Sequence, residues 1–99
     1  NASGIVEPIR VSGMVVSPPA ANHINISWDQ TPECDGYIIY RSQSYYGEYA
    51  FHKEITHNET TEFDDYDYIS GTHYYYMISA YKEINERKLE GLRSEKKTW

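Results

Sequence analysis

Apolar residues recur along this chain with a period of two in short runs, and the runs are parted by clusters of Pro, Gly, Asn and Asp. Such alternation predicts strands that bury one face, and the punctuation predicts tight connections between them. Ile9, Val11 and Met14-Val15-Val16 form a first extended segment, bent near Gly13 and stopped by Pro18-Pro19. His23 to Asp29 alternates and sets Ile24, Ile26 and Trp28 on one face. After a polar loop, Tyr37 to Arg41 puts Tyr37 and Ile39 together, and Tyr49, Phe51, Lys53 and Ile55 share a face of the next segment. Thr60 to Phe63 reads as a short strand, Tyr74 to Lys82 as a long one and Leu92 to Thr98 as the last. Residues 9–99 make one domain, and residues 1–8 read as a tag remnant or linker.

The stretch from Lys82 to Arg93 fits two patterns. Ile84, Lys88 and Leu92 at i, i+4, i+8, with Glu83 and Arg87 at i, i+4, suit a helix. Gly91 inside that period and the lack of a cap before Lys82 favour instead a hairpin turning near Asn85-Glu86. Tyr74 follows a Gly71-containing turn and leads an alternating strand ending at Ala80, the pattern of a tyrosine corner, whose phenol bonds back to the preceding connection. Together these predict an all-β, seven-stranded antiparallel immunoglobulin-like sandwich. Its core would hold Ile24, Ile26, Trp28, Tyr37, Ile39, Tyr74, Tyr76 and Ile78, with Trp28 central.

Charge narrows the choice of partner. Nine basic against fifteen acidic side chains give a formal net charge of −6, which repels phosphate backbones and anionic lipid. Neither nucleic acid nor membrane insertion is expected, and no apolar run approaches the ~20 residues of a spanning helix. With one cysteine, Cys34, no internal disulfide can form. Cys34 lies between Glu33 and Asp35, two anions that disfavour a thiolate, and reads as an inert surface thiol.

No residue pattern points to catalysis, a metal or a cofactor. His23, His52, His57 and His73 lack the short spacings of a zinc site. Glu62, Asp64, Asp65 and Asp67 gather four carboxylates, but without the spacing of a calcium loop they read as a solvated turn. Asn25 and Asn58 begin glycosylation sequons, Asn25 in mid-strand. The eleven tyrosines serve either as strand residues or as a binding face. Alternation sends Ile38, Tyr40, Tyr75, Met77 and Tyr81 away from the core, where they would form an exposed apolar patch suited to contact.

From about Val11 to Lys97 the chain resembles fibronectin type III domains, in particular those of bacterial surface and secreted proteins. The resemblance rests on Trp28 in the second strand and on Gly36-Tyr37-Ile38-Ile39-Tyr40-Arg41-Ser42, similar to a Gly-Tyr-x-Ile-Tyr-Arg-Ser third strand. It rests also on Phe63-Asp64-Asp65 entering the corner, Gly71 to Ala80 in the sixth strand, and Glu90-Gly91-Leu92-Arg93-Ser94 opening the seventh. Tyr68 departs from the usual Leu, Ser70 from Pro or Ala, and no Arg-Gly-Asp or Trp-Ser-x-Trp-Ser is present. The resemblance implies a non-catalytic module of a larger extracellular or surface bacterial protein, a spacer or protein-contact domain beside other domains, glycan-degrading ones among them. The alternative is a carbohydrate-binding accessory that stacks Tyr40, Tyr75 and Tyr81, or Tyr45-Tyr46, on polysaccharide.

Overall fold

The computed structural model describes residues 8–20 and 22–99. Seven strands form two antiparallel sheets: β1 (Val15–Val16), β2 (Ile24–Ser27) and β5 (Glu62–Asp65) in the order β1-β2-β5, and β3 (Gly36–Ser42), β4 (Ala50–Ile55), β6 (Tyr75–Ile84) and β7 (Arg87–Glu90) in the order β4-β3-β6-β7. The expectation for residues 1–8 falls outside the described residues except at Pro8, which is buried. Its carbonyl runs so close to Gly91 that any Cβ there would collide with it.

The inner faces follow from alternation. Ile24 and Ile26 of β2 meet Tyr37 and Ile39 of β3 and Tyr76, Ile78 and Ala80 of β6, all fully buried. Trp28 and Tyr74 join the same cluster, Trp28 packing edge-on to Tyr37 with ring centroids 5.3 Å apart. Tyr37 also closes two loops, since its hydroxyl accepts the Thr31 N–H at 2.9 Å and donates to the Asn58 carbonyl at 2.7 Å. Only Val15–Val16 of the first segment pairs as strand, although Val11 and Met14 are buried in the core.

Lys82 to Arg93 is a hairpin. Asn85 and Glu86 both take positive φ, 51° and 64°, the left-handed pair that a two-residue turn between twisted strands requires. Glu86 has a Cβ penalty there that glycine lacks. Glu86→Gly is therefore expected to stabilise the domain by ~0.5–1 kcal/mol, read as a higher urea midpoint; a lower midpoint would contradict this account of the turn.

Beyond β7 the chain keeps bonding to β6 at an uneven pace. Gly91 N–H donates to Ala80 O, Ser94 N–H to Ile78 O and Lys97 N–H to Tyr76 O, at 2.8, 2.7 and 2.9 Å. Each step thus takes three residues on the last segment against two on β6, a repeated bulge. The expected strand Leu92 to Thr98 is therefore not formed. The last strand is Arg87–Glu90, and beyond it, among the described residues, the chain makes only these spaced backbone bonds to β6 and one isolated bridge, Lys97 to Tyr76, because the uneven step breaks the ladder. The effect of that step on facing is large: strict alternation would send Arg93 and Lys96 to opposite sides, and the three-residue step brings them to one.

A second bulge lies in the β3–β4 pair. Ile39 pairs with Lys53 but Tyr40 with Phe51, leaving His52 as the extra residue. The predicted common face of Tyr49, Phe51, Lys53 and Ile55 is therefore split. Ile55 joins the inner core, whereas Tyr49 packs against Ile38, Tyr40 and Tyr81 on the opposite side.

The corner tyrosine is buried, and the Arg41 guanidinium lies 4.3 Å from its ring centroid. Its hydroxyl accepts the Ile69 N–H at 3.4 Å, at the long limit for such a bond. Tyr74→Phe is expected to cost less than ~1 kcal/mol in chemical denaturation. A cost above ~2 kcal/mol would mean that the hydroxyl holds more than this contact.

Candidate functional site

The outward face of the larger sheet is not the exposed patch expected of it. Ile38, Tyr40 and Tyr81 keep only 7%, 7% and 3% of their surface, and Tyr75 and Met77 are partly buried against them. The cover is the chain itself. Ser42 and Ser44 exchange hydrogen bonds, Ser42 Oγ donating to Ser44 O at 2.8 Å and accepting from Ser44 N at 3.0 Å, and Gly47 N–H closes on Ser44 O. This folded loop returns Tyr49 onto the sheet, with the Tyr49 hydroxyl donating to Tyr45 O at 3.0 Å.

The polar ends of the buried tyrosines meet carboxylates. Tyr40 and Ser79 both donate to Glu90 Oε2, and Tyr81 donates to Glu54 Oε2 at 2.8 Å. Burial first, then the bonded carboxylate, pushes the phenols of Tyr40 and Tyr81 up, so both remain donors across the neutral range. Above the rings lie three cations from the hairpin and last segment. Lys88 Nζ is 5.6 Å from the Tyr81 centroid, the Arg93 guanidinium is 3.7 Å from that of Tyr40, and Lys96 Nζ is 4.9, 5.5 and 5.4 Å from those of Tyr45, Tyr46 and Tyr49. These are cation–π distances. The face is a tyrosine layer under a row of positive charge, and alternation alone could not reveal it because the bulged last segment sets the row.

A second cluster ties the sheets together. Asp65, expected in a solvated turn, is 1% exposed. Its Oδ2 accepts Tyr76 Oη at 2.6 Å and Arg41 Nη1 at 3.2 Å, and its Oδ1 accepts His52 Nε2 at 3.0 Å and the Asp67 N–H at 3.0 Å. Burial pushes its carboxyl up, but the bonds from His52 and Tyr76 and the charges of His52 and Arg41 outweigh it, leaving it below the usual range. The signal in the sequence was positional: Arg41 is the next-to-last residue of the third-strand motif and Asp65 ends the corner motif. His52 enters through the β4 bulge. Glu62 and Asp64 do lie on the surface side, both bonded by Asn25 Nδ2.

Cys34 also departs from expectation. It is 6% exposed and part of the main core, its thiol donating to Thr31 O at 3.3 Å, and burial is the first cause of its raised pKa. The turn at residues 32–33, with Glu33 at positive φ, directly precedes it. Among the described residues no three His, Cys, Asp or Glu side chains are grouped to hold a metal ion. The histidines are dispersed: His52 on Asp65, His73 between Trp99 and Tyr75, His23 beside Tyr66, His57 beside Glu59.

No family model and no curated protein matches the chain. Solved structures do. An Fn3-like protein from Clostridium thermocellum aligns with a TM-score of 0.64 at 26% identity, over 90% of this chain and 88% of that one. The fibronectin type III domain of human KIAA0970 protein aligns at 0.68 and 19% identity, over 90% and 70%. Pectate lyase PelI from Erwinia chrysanthemi aligns at 0.63 and 17% identity, over 85% of this chain but 26% of its own length. Three strands facing four, in this order and with these neighbours, make the chain a fibronectin type III domain in fold.

Proposed function

We propose that the chain is a non-catalytic module of a larger secreted or surface bacterial protein, acting as a spacer or protein-contact domain beside other domains. One observation carries this reading: the polypeptide passes lengthwise through the sandwich. Pro8 lies against Gly91, which bonds to Ala80, whereas Thr98 donates to Tyr74 O at 2.7 Å and Trp99 packs on His73. Tyr74 lies one residue before β6 and six residues before Ala80, so Pro8 and Thr98 contact points about 20 Å apart along extended backbone. Domains joined at the two points would be held apart at opposite ends. The Clostridium neighbour and the pectate lyase that carries a similar fold support a bacterial, extracellular setting.

The accessory reading, with polysaccharide as partner, has less support. Tyr40 and Tyr81 are buried, and the exposed pair Tyr45-Tyr46 stands edge-to-face at 80°, which offers no coplanar platform for successive sugar rings. The test is to fuse a folded reporter domain to each end and measure their separation by energy transfer. A single narrow distance distribution is expected, unchanged by added polysaccharide. A broad distribution would overturn the spacer reading, and retardation of the module in polysaccharide-containing gels would favour the accessory.

A further inference from the structure

Along its last segment the outer face of the larger sheet carries cations, Arg93 and Lys96, whereas the outer edge of the smaller sheet carries carboxylates, Glu62 and Asp64. Residues 87–97 hold five of the nine basic side chains of the chain and two of its fifteen acidic ones. Within that segment, Lys88, Arg93 and Lys96 lie over the outward tyrosines of the larger sheet. Lys88 is paired with Glu54 at 3.5 Å, but among the described residues neither Arg93 nor Lys96 has a carboxylate within ion-pair distance. The two acids of the segment are engaged elsewhere, Glu90 by Tyr40 and Ser79 and Glu95 by Lys97 at 3.6 Å. Ring contacts hold both cations in place, so little side-chain freedom is lost when an anion meets them.

The acidic edge is on the smaller sheet. On β5, Phe63 and Asp65 point inward, and Glu62 and Asp64 alternate with them onto the outer face of the smaller sheet, opposite Ser27 and Asn25. β5 is an edge strand, so these carboxylates meet no neighbouring strand beyond them. Asp67 follows, 78% exposed at its side chain but paired with Arg41 at 3.4 Å, so Glu62 and Asp64 carry the face, Asp64 with His23 at 3.7 Å.

We propose that the row formed by Arg93 and Lys96 binds the acidic β5 face of a second copy of this chain. Cation and anion lie on opposite faces of the same sandwich, so the contact is heterologous: each copy uses one face to bind and leaves the other free. Such a contact does not close on itself and builds stacks of copies side by side. A net charge of −6 opposes association at long range, but charges separated by more than ~10 Å are largely screened at 0.1 M salt, which leaves the matched faces to act at contact. The contact is weak and salt-dependent, as expected of charge complementarity between exposed groups.

Sedimentation velocity over a concentration series of the intact module, at a low salt of ~0.1 M and a high salt of ~1 M, tests this. Concentration-dependent association at low salt is expected, weakened about tenfold or more by high salt. Arg93→Glu with Lys96→Glu should abolish it while leaving the circular dichroism of the monomer that of a folded domain. The same loss is expected of Glu62→Lys with Asp64→Lys. Mixing the two charge-reversed proteins should restore hetero-association, which a merely misfolded variant could not do. A protein that stays monomeric at low salt and high concentration overturns the proposal. So does a mixture that fails to associate. If the module remains monomeric but binds poly-glutamate or an acidic polysaccharide through Arg93 and Lys96, the occupant is an external polyanion and the second-copy assignment is wrong.

Discussion

Asp65→Ala is expected to cost ~3–5 kcal/mol, a large share of the ~5–15 kcal/mol that holds a domain of this kind. The carboxylate gathers Tyr76 from β6, Arg41 from β3, His52 from β4 and the Asp67 N–H. Its loss strands the buried Tyr76 hydroxyl and leaves Arg41 only the neighbouring Asp67. Asp65→Asn should cost nearly as much, because its amide NH2 would face donors. The pH dependence has a definite sign. The folded carboxyl has a lowered pKa, so its contribution is fully present above the unfolded value of ~3.9 and is lost as pH falls through the folded value. In urea titrations across the acid range, the wild-type protein should therefore lose more stability than Asp65→Asn. Parallel curves would show that Asp65 is not the linked group.

Trp28→Ala ranks with it, at ~3–5 kcal/mol. Trp28 is 4% exposed between the sheets and edge-on to Tyr37, so alanine would leave a cavity in the core. Trp28→Phe separates volume from polarity. The indole Nε1 has no hydrogen-bond partner among the described residues, so phenylalanine loses contact area but also removes an unpaired buried donor. It should cost well under half the alanine change, as measured by guanidinium unfolding. Equal costs for both substitutions would show that the indole N–H is satisfied by something else, such as a buried water.

The inner core was legible because alternation and burial agree wherever strands pair one residue to one. Ile24 and Ile26 facing Tyr37, Ile39, Tyr76 and Ile78 follow from period two alone. The Asn85-Glu86 turn was legible too, since Gly91 inside the helical period and the lack of a cap before Lys82 argued against a helix there. What alternation cannot show is a change of step. One extra residue at His52 and a three-for-two pace after Gly91 leave no mark in composition, yet they decide that Tyr49 covers the outer tyrosines and that Arg93 and Lys96 share a side. Asp65 was hidden for another reason. A carboxylate among three others looks solvated until its donors, drawn from three strands distant in sequence, are brought to it by the fold.

The single thiol, turned inward at Cys34 and bonded to Thr31 O, gives the molecule a built-in clock. A disulfide reagent in solvent can reach that sulfur only when the loop from Thr31 to Gly36 swings away from Tyr37, so labelling proceeds at the opening rate or in proportion to the open population. Comparing this rate with that of global unfolding would show whether this end of the sandwich opens by itself or only with the whole. Because no second cysteine competes, the reading needs no substitution at all.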